Sequence, residues 1–357
     1  MKTGVEWPRS RATWITGAIG TIGLLVAGAR ATAPVVGAGT AMTAAAHAWI
    51  ATLDTAQKER AVRPFDEASR VDWHFIPKPT RKGVQLRDMT PPQQTAALAL
   101  LRAALSQAGY DKSVVIMDLD EILRILEGAK AKNIRDPKRY FFTVFGTPAE
   151  KGRWGLSVEG HHLSLNFTVR DGALVDSTPQ CMGANPAVVK ATLPNLPKAG
   201  TRVLAEEETL AFDLVKSLDP ARRQKAVVAA EPPKEVRAAG VPQPPNEPLV
   251  GIALADLSAD QAAVLKKLVD VYCGAMPAEV AAERKRLIEA APGGWGSVRF
   301  AWQGPLEPGI GHAYRIEGPT FSVEFVNVQP DAEGNPANHI HCIWRDRTGD
   351  FDLPPAA

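Results

Sequence analysis

The sequence predicts an α+β protein with two pseudo-symmetric halves, each a pair of helices followed by an antiparallel β meander. Two repeated stretches of strand-like sequence carry this prediction. Residues 140–146 resemble residues 298–304, and residues 158–167 resemble residues 316–325, both at an offset of 158 positions. Since the two matches keep the same register, we interpret them as an internal duplication whose copies pack about an approximate two-fold axis.

A third observation is a helix start signal in each half. Thr90 precedes Pro91 and has Gln93 three residues later, and Ser258 has Gln261 at the same spacing. Ser or Thr with Gln three residues on forms the capping box that begins a helix, and Pro favours the first helical position. Two helical patterns follow each signal. The predicted helices span residues 91–107, 117–127, 259–273 and 278–290.

The N-terminal segment, residues 1–33, is predicted to be a signal peptide. Lys2, Arg9 and Arg11 precede an apolar run over residues 14–29, and small residues in an A-x-A arrangement follow. The run has about 16 residues, whereas a membrane-spanning helix needs roughly 20. We therefore expect export to the periplasm or the extracellular space after cleavage, with an uncleaved N-terminal membrane anchor as the alternative.

Four segments divide the rest of the chain. Residues 34–76 are predicted to be a flexible lead-in followed by an entry segment, because residues 33–46 are rich in Ala, Gly and Thr. Residues 183–250 are predicted to be a helical connector that ends in a Pro-rich surface linker over residues 231–248. The two half-domains are predicted to occupy residues 77–182 and 251–357.

Composition and charge argue against several classes of protein. An apolar content of 45% supports a sizeable core, and 41 basic against 39 acidic side chains leave no basic pattern for nucleic acid. We expect no nucleic acid partner, and membrane contact only through an uncleaved N-terminal segment. Cys181, Cys273 and Cys342 allow at most one disulfide, and we interpret them as small buried hydrophobic residues.

Histidines mark the candidate functional site. Four of the seven lie in two short motifs, E-G-H-H over residues 159–162 and N-H-I-H over residues 338–341. In a strand, His339 and His341 point to the same face with their Cα atoms about 6.6 Å apart, a span that two imidazoles can close onto one ion. If equivalent strands of the two halves pair, His162 borders the same pocket.

A carboxylate is predicted beside these histidines. Residues 321–328 and 339–345 flank a turn-rich loop, so we expect an antiparallel hairpin that brings Glu324 near His339 and His341. Two imidazoles with a carboxylate suit Fe(II) or Zn(II), whereas three imidazoles suit Zn(II) or copper, so the metal stays open among Zn, Fe and Cu. The predicted metal ligands are His162, His339, His341 and His161, and the predicted catalytic residues are Glu324, Glu159 and Arg345.

Each of these residues also has a structural interpretation. His161 shares its strand parity with apolar residues, which fits a core histidine, and the histidines of the second motif also fit a polar sheet face without metal. Glu159 and its equivalent Glu317 fit carboxylates that hold the backbone N–H groups of a turn. Arg345 fits either an ion pair with Asp346 or a site for an anionic substrate.

Several further motifs resemble a known family. They are Arg81-Lys82-Gly83, Asp88-Met89-Thr90, Phe145-Gly146-Thr147-Pro148, residues 154–168, Gly183-Ala184-Asn185-Pro186, residues 315–319 and residues 339–346. With these motifs, the chain from Pro77 onward resembles a mostly bacterial family known as the domain of unknown function numbered 3500. The resemblance implies an exported protein and implies no particular activity.

The leading functional hypothesis is an exported metal-dependent enzyme, hydrolytic or oxidative, acting on a small-molecule or extracellular substrate. Imidazoles would be the ligands, and a carboxylate would be a ligand or a general base. The alternative is a non-catalytic ligand-binding or envelope scaffold protein that uses the same side chains. One site can hold the histidines only if a third ligand lies within about 5 Å of the His339 and His341 nitrogens.

Overall fold

A computed structural model describes residues 37–355 of the chain, so the predicted signal peptide lies outside the described residues. Pairs of helices are separated along the chain by groups of strands. The helices are α1 (Ala38–Thr52), α2 (Thr55–Ala61), α3 (Pro91–Ala104), α4 (Gln107–Glu127), α5 (Ala205–Ser217), α6 (Pro220–Ala226), α7 (Ala259–Cys273) and α8 (Ala278–Ala290). In this part of the chain, no helix combines the length and the apolar character that a membrane span requires.

The strands join into one mixed sheet. They are β1 (Val62–Arg63), β2 (Val84–Gln85), β3 (Phe141–Phe145), β4 (Arg153–Gly160), β5 (Leu163–Arg170), β6 (Ala173–Asp176), β7 (Gln180–Ala184), β8 (Val227–Ala229), β9 (Ile252–Ala253), β10 (Arg299–Gln303), β11 (His312–Glu317), β12 (Phe321–Asn327) and β13 (Ile340–Asp346). The main path runs β1-β3-β4-β5-β7-β13-β12-β11-β10-β8. The predicted α+β class is confirmed.

The same pairing pattern occurs at both ends of the sheet. Strand β3 pairs in parallel with β1 and antiparallel with β2. At the other end, β10 pairs in parallel with β8 and antiparallel with β9. Antiparallel pairing of β7 with β13 joins the two halves at the centre of the sheet. The approximate two-fold axis between the halves stays a prediction.

Both predicted capping boxes are present. The side chain of Gln93 accepts from the Thr90 N–H at 2.8 Å, and the side chain of Gln261 accepts from the Ser258 N–H at 3.0 Å. The predicted start of the second helix is wrong, because α4 begins ten residues earlier, at Gln107. Gly109 lies within α4, where an added Cβ would meet the Ala275 carbonyl oxygen at 2.0 Å.

Two segments differ from the expectation. The flexible lead-in is wrong for residues 38–46, which belong to α1, because alanine favours helix and Met42, Ala46 and Trp49 are fully buried against the core. The Pro-rich segment over residues 231–248 is more than a surface linker. Its Val236 is only 3% exposed, and its polar side chains contact the sheet.

The two faces of the sheet have different coverings. The helices pack on one face, where Leu163, Leu165 and Phe167 of β5 point into the main core as the alternation predicted. Chain segments without regular structure cover the other face through a smaller apolar cluster. It contains Trp73, Phe75, Cys181, Val236, Ala313, Val326, Ile343 and Phe351. The cysteines are free and buried, as predicted.

Candidate metal centre

Three histidines from different parts of the chain converge on the face opposite the helices. The Nε2 atoms of His162 and His339 lie 2.8 Å apart, and those of His339 and His341 lie 3.1 Å apart. All three ligand atoms lie within 4.8 Å of one another. His162 and His341 are 3% and 4% exposed, and His339 is partly buried. The convergence expected from the sequence is present.

A strained turn positions His162. The residue lies between β4 and β5 with a φ of 61°, in the left-handed region. Its N–H donates to the Phe75 carbonyl at 2.8 Å, and its own carbonyl accepts from the Gly183 N–H at 2.7 Å. A Cβ at Gly183 would lie 3.1 Å from two atoms of the His162 ring. Glycine at that position therefore leaves room for the imidazole.

The other two histidines lie at the start of β13. The backbone N–H of His339 donates to Oδ1 of Asn327 at 3.0 Å, which fixes the residue just before the strand. His341 is within the strand, between Gly183 of β7 and Val326 of β12. Their rings meet edge to face, with centroids 4.8 Å apart.

Two polar side chains contact the Nδ1 atoms of His339 and His341. Oε1 of Glu235 lies 2.9 Å from Nδ1 of His341, so a carboxylate accepts the Nδ1–H. Nδ2 of Asn185 lies 3.3 Å from Nδ1 of His339, whereas its buried Oδ1 has no hydrogen-bond partner within residues 37–355. As placed, this amide donates to Nδ1 of His339, whereas an amide flip would put the oxygen against an Nδ1–H and the NH2 group in the position that has no partner. In the flipped arrangement both rings present an unprotonated Nε2.

These tautomers suit a bound cation. With protons on Nδ1, the Nε2 lone pairs of His339 and His341 face each other at 3.1 Å, an arrangement that repels unless a positive charge lies between them. An Nε2–H of His162 could satisfy only one of them. Zinc–nitrogen bonds of about 2.0–2.1 Å place tetrahedral ligand atoms about 3.3 Å apart, and two of the observed Nε2 separations, 2.8 and 3.1 Å, are close to that value. The donor set therefore fits a transition-metal ion.

Burial keeps the His162 and His339 imidazoles neutral. It lowers the pKa of His162 well below the ordinary value, and the neighbouring His161 and His339 lower it further. It also lowers the pKa of His339 to about 2, with His341 adding to the effect. Neutral imidazole is the form that binds metal, so protons compete weakly for these nitrogens at neutral pH.

His161, also predicted as a ligand, lies beside the three histidines. Its ring stacks on that of His162 with centroids 3.7 Å apart, and its Nδ1 lies 2.7 Å from Oδ1 of Asp120 on α4. The Tyr140 hydroxyl is 3.0 Å from Oδ2 of the same aspartate. Nη1 of Arg135 lies 3.3 Å from both ring nitrogens. The ring is thus placed for proton transfer next to the centre, and burial lowers its pKa.

Glu324 lies on the predicted face but has another partner. It is opposite Ile343, two residues along the strand from His341. Arg237 donates from its backbone N–H to Oε2 at 2.9 Å and from Nε to Oε1 at 2.8 Å. The same guanidinium contacts Glu317 at 2.6 Å. Both oxygens of Glu324 are therefore engaged away from the histidines.

The other two predicted catalytic residues form buried ion pairs. Glu159 accepts from Nζ of Lys82 at 2.7 Å, and both side chains are at most 6% exposed. Arg345 pairs with the fully buried Asp350 and donates to the carbonyl oxygen of Val241 at 2.9 Å. The sequence predicted Asp346 as the partner of Arg345, whereas the structure has Asp350 in that place. The catalytic role of these residues stays a prediction.

Sequence reasoning missed Glu235, Asn185 and Asp120. Asn185 stands in one of the motifs that mark the family resemblance, so that signal was present. Asp120 lies within the predicted second helix, where an acidic residue on a helix gives no sign of its partner. Glu235 lies in the Pro-rich segment, which has no periodicity from which its position could be predicted.

Fold and site together define an α+β protein with a buried trihistidine centre that could hold a metal ion. The chain belongs to the family described as "Protein of unknown function (DUF3500)", whose model matches residues 37–353. The resemblance found in the sequence motifs is thus confirmed. Comparison with curated proteins and with solved structures gave no match.

Proposed function

We propose that this protein is an exported metal-dependent enzyme that catalyses a hydrolytic reaction. The observation that carries the proposal is the pair of facing Nε2 atoms on His339 and His341, whose Nδ1 positions are occupied by Asn185 and Glu235. Together with His162 they form a three-imidazole donor set with open coordination positions, as in catalytic zinc sites. A bound ion would supply Lewis acidity there.

His161 is the candidate for proton transfer. Asp120 holds the proton on Nδ1, so Nε2 carries the lone pair of the ring and would accept a proton from a reacting group that displaces Nη1 of Arg135, now 3.3 Å away. Its lowered pKa keeps the ring neutral, the form that a general base needs. Arg135 lies 3.3 Å from the ring, and its guanidinium, which pairs with Glu127 at 2.8 Å, would also stabilise an anionic group of a substrate.

Oxidative chemistry at the same centre is the closest alternative, since three imidazoles also suit copper. The hydrolytic assignment is favoured by the His161–Asp120 pair, because a positioned proton acceptor is a requirement of water attack. Glu324, Glu159 and Arg345 then act through the fold, by neutralising buried charges beside the site.

Elemental analysis of the purified protein tests the metal. We expect close to one transition-metal ion per chain in the wild type and none in a His339→Ala, His341→Ala double variant. His47→Ala, which removes an exposed imidazole from α1, is the matched control and should keep the metal. A wild-type protein that holds no metal, and whose melting temperature is unchanged by added zinc, copper or iron, would overturn the proposal.

Activity is tested with chromogenic ester, phosphoester and glycoside substrates. We expect turnover that requires the metal and falls in His161→Gln while the metal content stays constant. Metal binding without turnover on any substrate class would favour the non-catalytic binding protein. Export is tested separately, by cell fractionation with residues 1–33 present or deleted.

A further inference from the structure

An arginine-rich cleft of about 630 Å³ lies beside the candidate metal centre. Six guanidinium groups line it, against two carboxylates, those of Asp88 and Asp136. The arginines are Arg60, Arg63, Arg81, Arg87, Arg135 and Arg139. A cleft lined by one sign of charge concentrates ligands of the opposite sign. This excess stands out because the chain as a whole has a net charge of only +2.

Two of these arginines donate to uncharged acceptors. Arg81 donates to the carbonyl oxygens of His74, at 2.6 Å, and Gly160, at 3.2 Å. Arg139 donates to the carbonyl oxygen of Pro79. Carbonyl oxygens satisfy N–H groups without neutralising the charge, so the positive potential of both side chains remains available to a ligand.

The other four arginines each have a carboxylate partner, and Arg63 contacts Glu67 at 2.9 Å while Arg135 contacts Glu127 at 2.8 Å. Arg60 contacts Asp88 only at 3.5 Å, with both side chains well exposed, so this pair is weak and screened by solvent. Arg87 pairs with Asp136 at the rim. A planar guanidinium presents two parallel N–H groups to a carboxylate or phosphate, and several around one cleft favour a ligand with more than one negative charge.

The cleft shares a wall with the histidines. Arg135 lines the cleft, and its Nη1 is 3.3 Å from the His161 ring, which stacks on His162. Arg81 lines the cleft too, and donates to the carbonyl oxygen of Gly160, the residue before the histidine pair. An anion held here would therefore lie next to the side chains assigned to chemistry.

We propose that this cleft binds a small, multiply charged oxyanion, as the anionic part of the enzyme's substrate. The binding site stands on the charges and shape of the cleft alone, whereas its role in positioning a substrate rests on the proposed function. The shared chemistry is that of carboxylate and phosphate groups, both of which accept two hydrogen bonds from one guanidinium.

The test is isothermal titration of the full chain with inorganic phosphate and, separately, with tricarballylate, a tricarboxylate. We expect saturable binding of at least one probe that weakens as salt concentration rises. Tighter binding of one of them identifies the group as phosphate or carboxylate. Absence of binding for both probes would overturn the inference, while a full metal content in the same sample would leave the proposed function standing.

Variants locate the binding. Arg139→Gln should weaken the bound probe on the order of tenfold, because it removes a charged hydrogen-bond donor while the backbone contacts of the cleft remain. Arg286→Gln is the matched control, since it removes an exposed arginine paired on α8, away from the cleft. Equal losses in both variants would show non-specific attraction and reject the site. Arg60→Gln gives a second variant on an exposed side chain, with a loss in the same direction.

Discussion

The carboxylate of Glu235 provides the sharpest test of the metal centre. Its Oε1 lies 2.9 Å from Nδ1 of His341 and also accepts from the Val236 N–H at 2.8 Å. Glu235→Gln keeps the shape and an acceptor oxygen but removes the charge that favours the Nδ1–H tautomer. Loss of such an outer partner typically weakens metal affinity by about 10–100-fold, or roughly 1.4–2.7 kcal/mol.

This loss has a measurable effect on stability. A ligand at about 1,000 times its dissociation constant stabilises the folded state by roughly 4.1 kcal/mol. At the same metal concentration, a 10–100-fold weaker site in Glu235→Gln would stabilise by roughly 2.7 to 1.4 kcal/mol. The assay is chelator competition for the dissociation constant, with thermal unfolding at fixed metal concentration as the second reading.

Glu247→Gln is the matched control for this variant. Glu247 lies in the same Pro-rich segment, is 55% exposed and pairs with Arg237, away from the histidine nitrogens. Its substitution should leave the metal dissociation constant unchanged. The reasoning is refuted if Glu235→Gln binds metal as tightly as the wild type, or if the control loses as much affinity as the variant does.

Three further predictions concern the neighbours of the site. Gly183→Ala should lower metal content in elemental analysis, because the new Cβ would lie 2.8 Å from the Ile340 carbonyl oxygen of β13 and 3.1 Å from the His162 ring; wild-type stoichiometry would contradict the assigned packing. Burial lowers the pKa of His339 in the folded protein to about 2. In metal-free protein below about pH 6.5, this histidine therefore binds a proton in the unfolded chain but not in the folded one. The free energy of unfolding should therefore fall as the pH drops below 6.5, and urea titrations should show a smaller fall for His339→Gln. Arg345→Met should cost about 3–5 kcal/mol in denaturant unfolding, because it leaves Asp350 buried and unpaired; unchanged stability with lost activity would favour the catalytic role instead.

Much of the fold could be predicted because its signals are local. The capping boxes at Thr90 and Ser258 need only four residues each, and the strand alternation after His162 needs only a few more. Segments such as residues 38–46 were harder to predict, because a run of small residues is compatible both with a linker and with a buried helix. Burial of Trp49 against the core decides between them, and that contact is not local in sequence.

The candidate site was predictable only in part for a related reason. Alternation correctly placed Glu324 on the same face as His341, because strand parity is a local property. No local pattern indicates that Arg237, from the Pro-rich segment, occupies both oxygens of that glutamate. The same segment supplies Glu235 to the histidines, so one irregular stretch changes the roles of two carboxylates.

The difference between the two predicted copies supports a role for His162 in the proposed function. His162 has a φ of 61°, a conformation that costs an L-residue roughly 1–2 kcal/mol, and hydrogen bonds to Phe75 and Gly183 hold it there. The equivalent position in the second copy is Thr320, a β-branched residue for which that conformation is a strong outlier. A turn needed only to join two strands would serve equally well in both copies. The strained conformation occurs in only one of the two turns, at His162, whose ring contacts that of His339. A binding or catalytic site explains this strain better than the fold does.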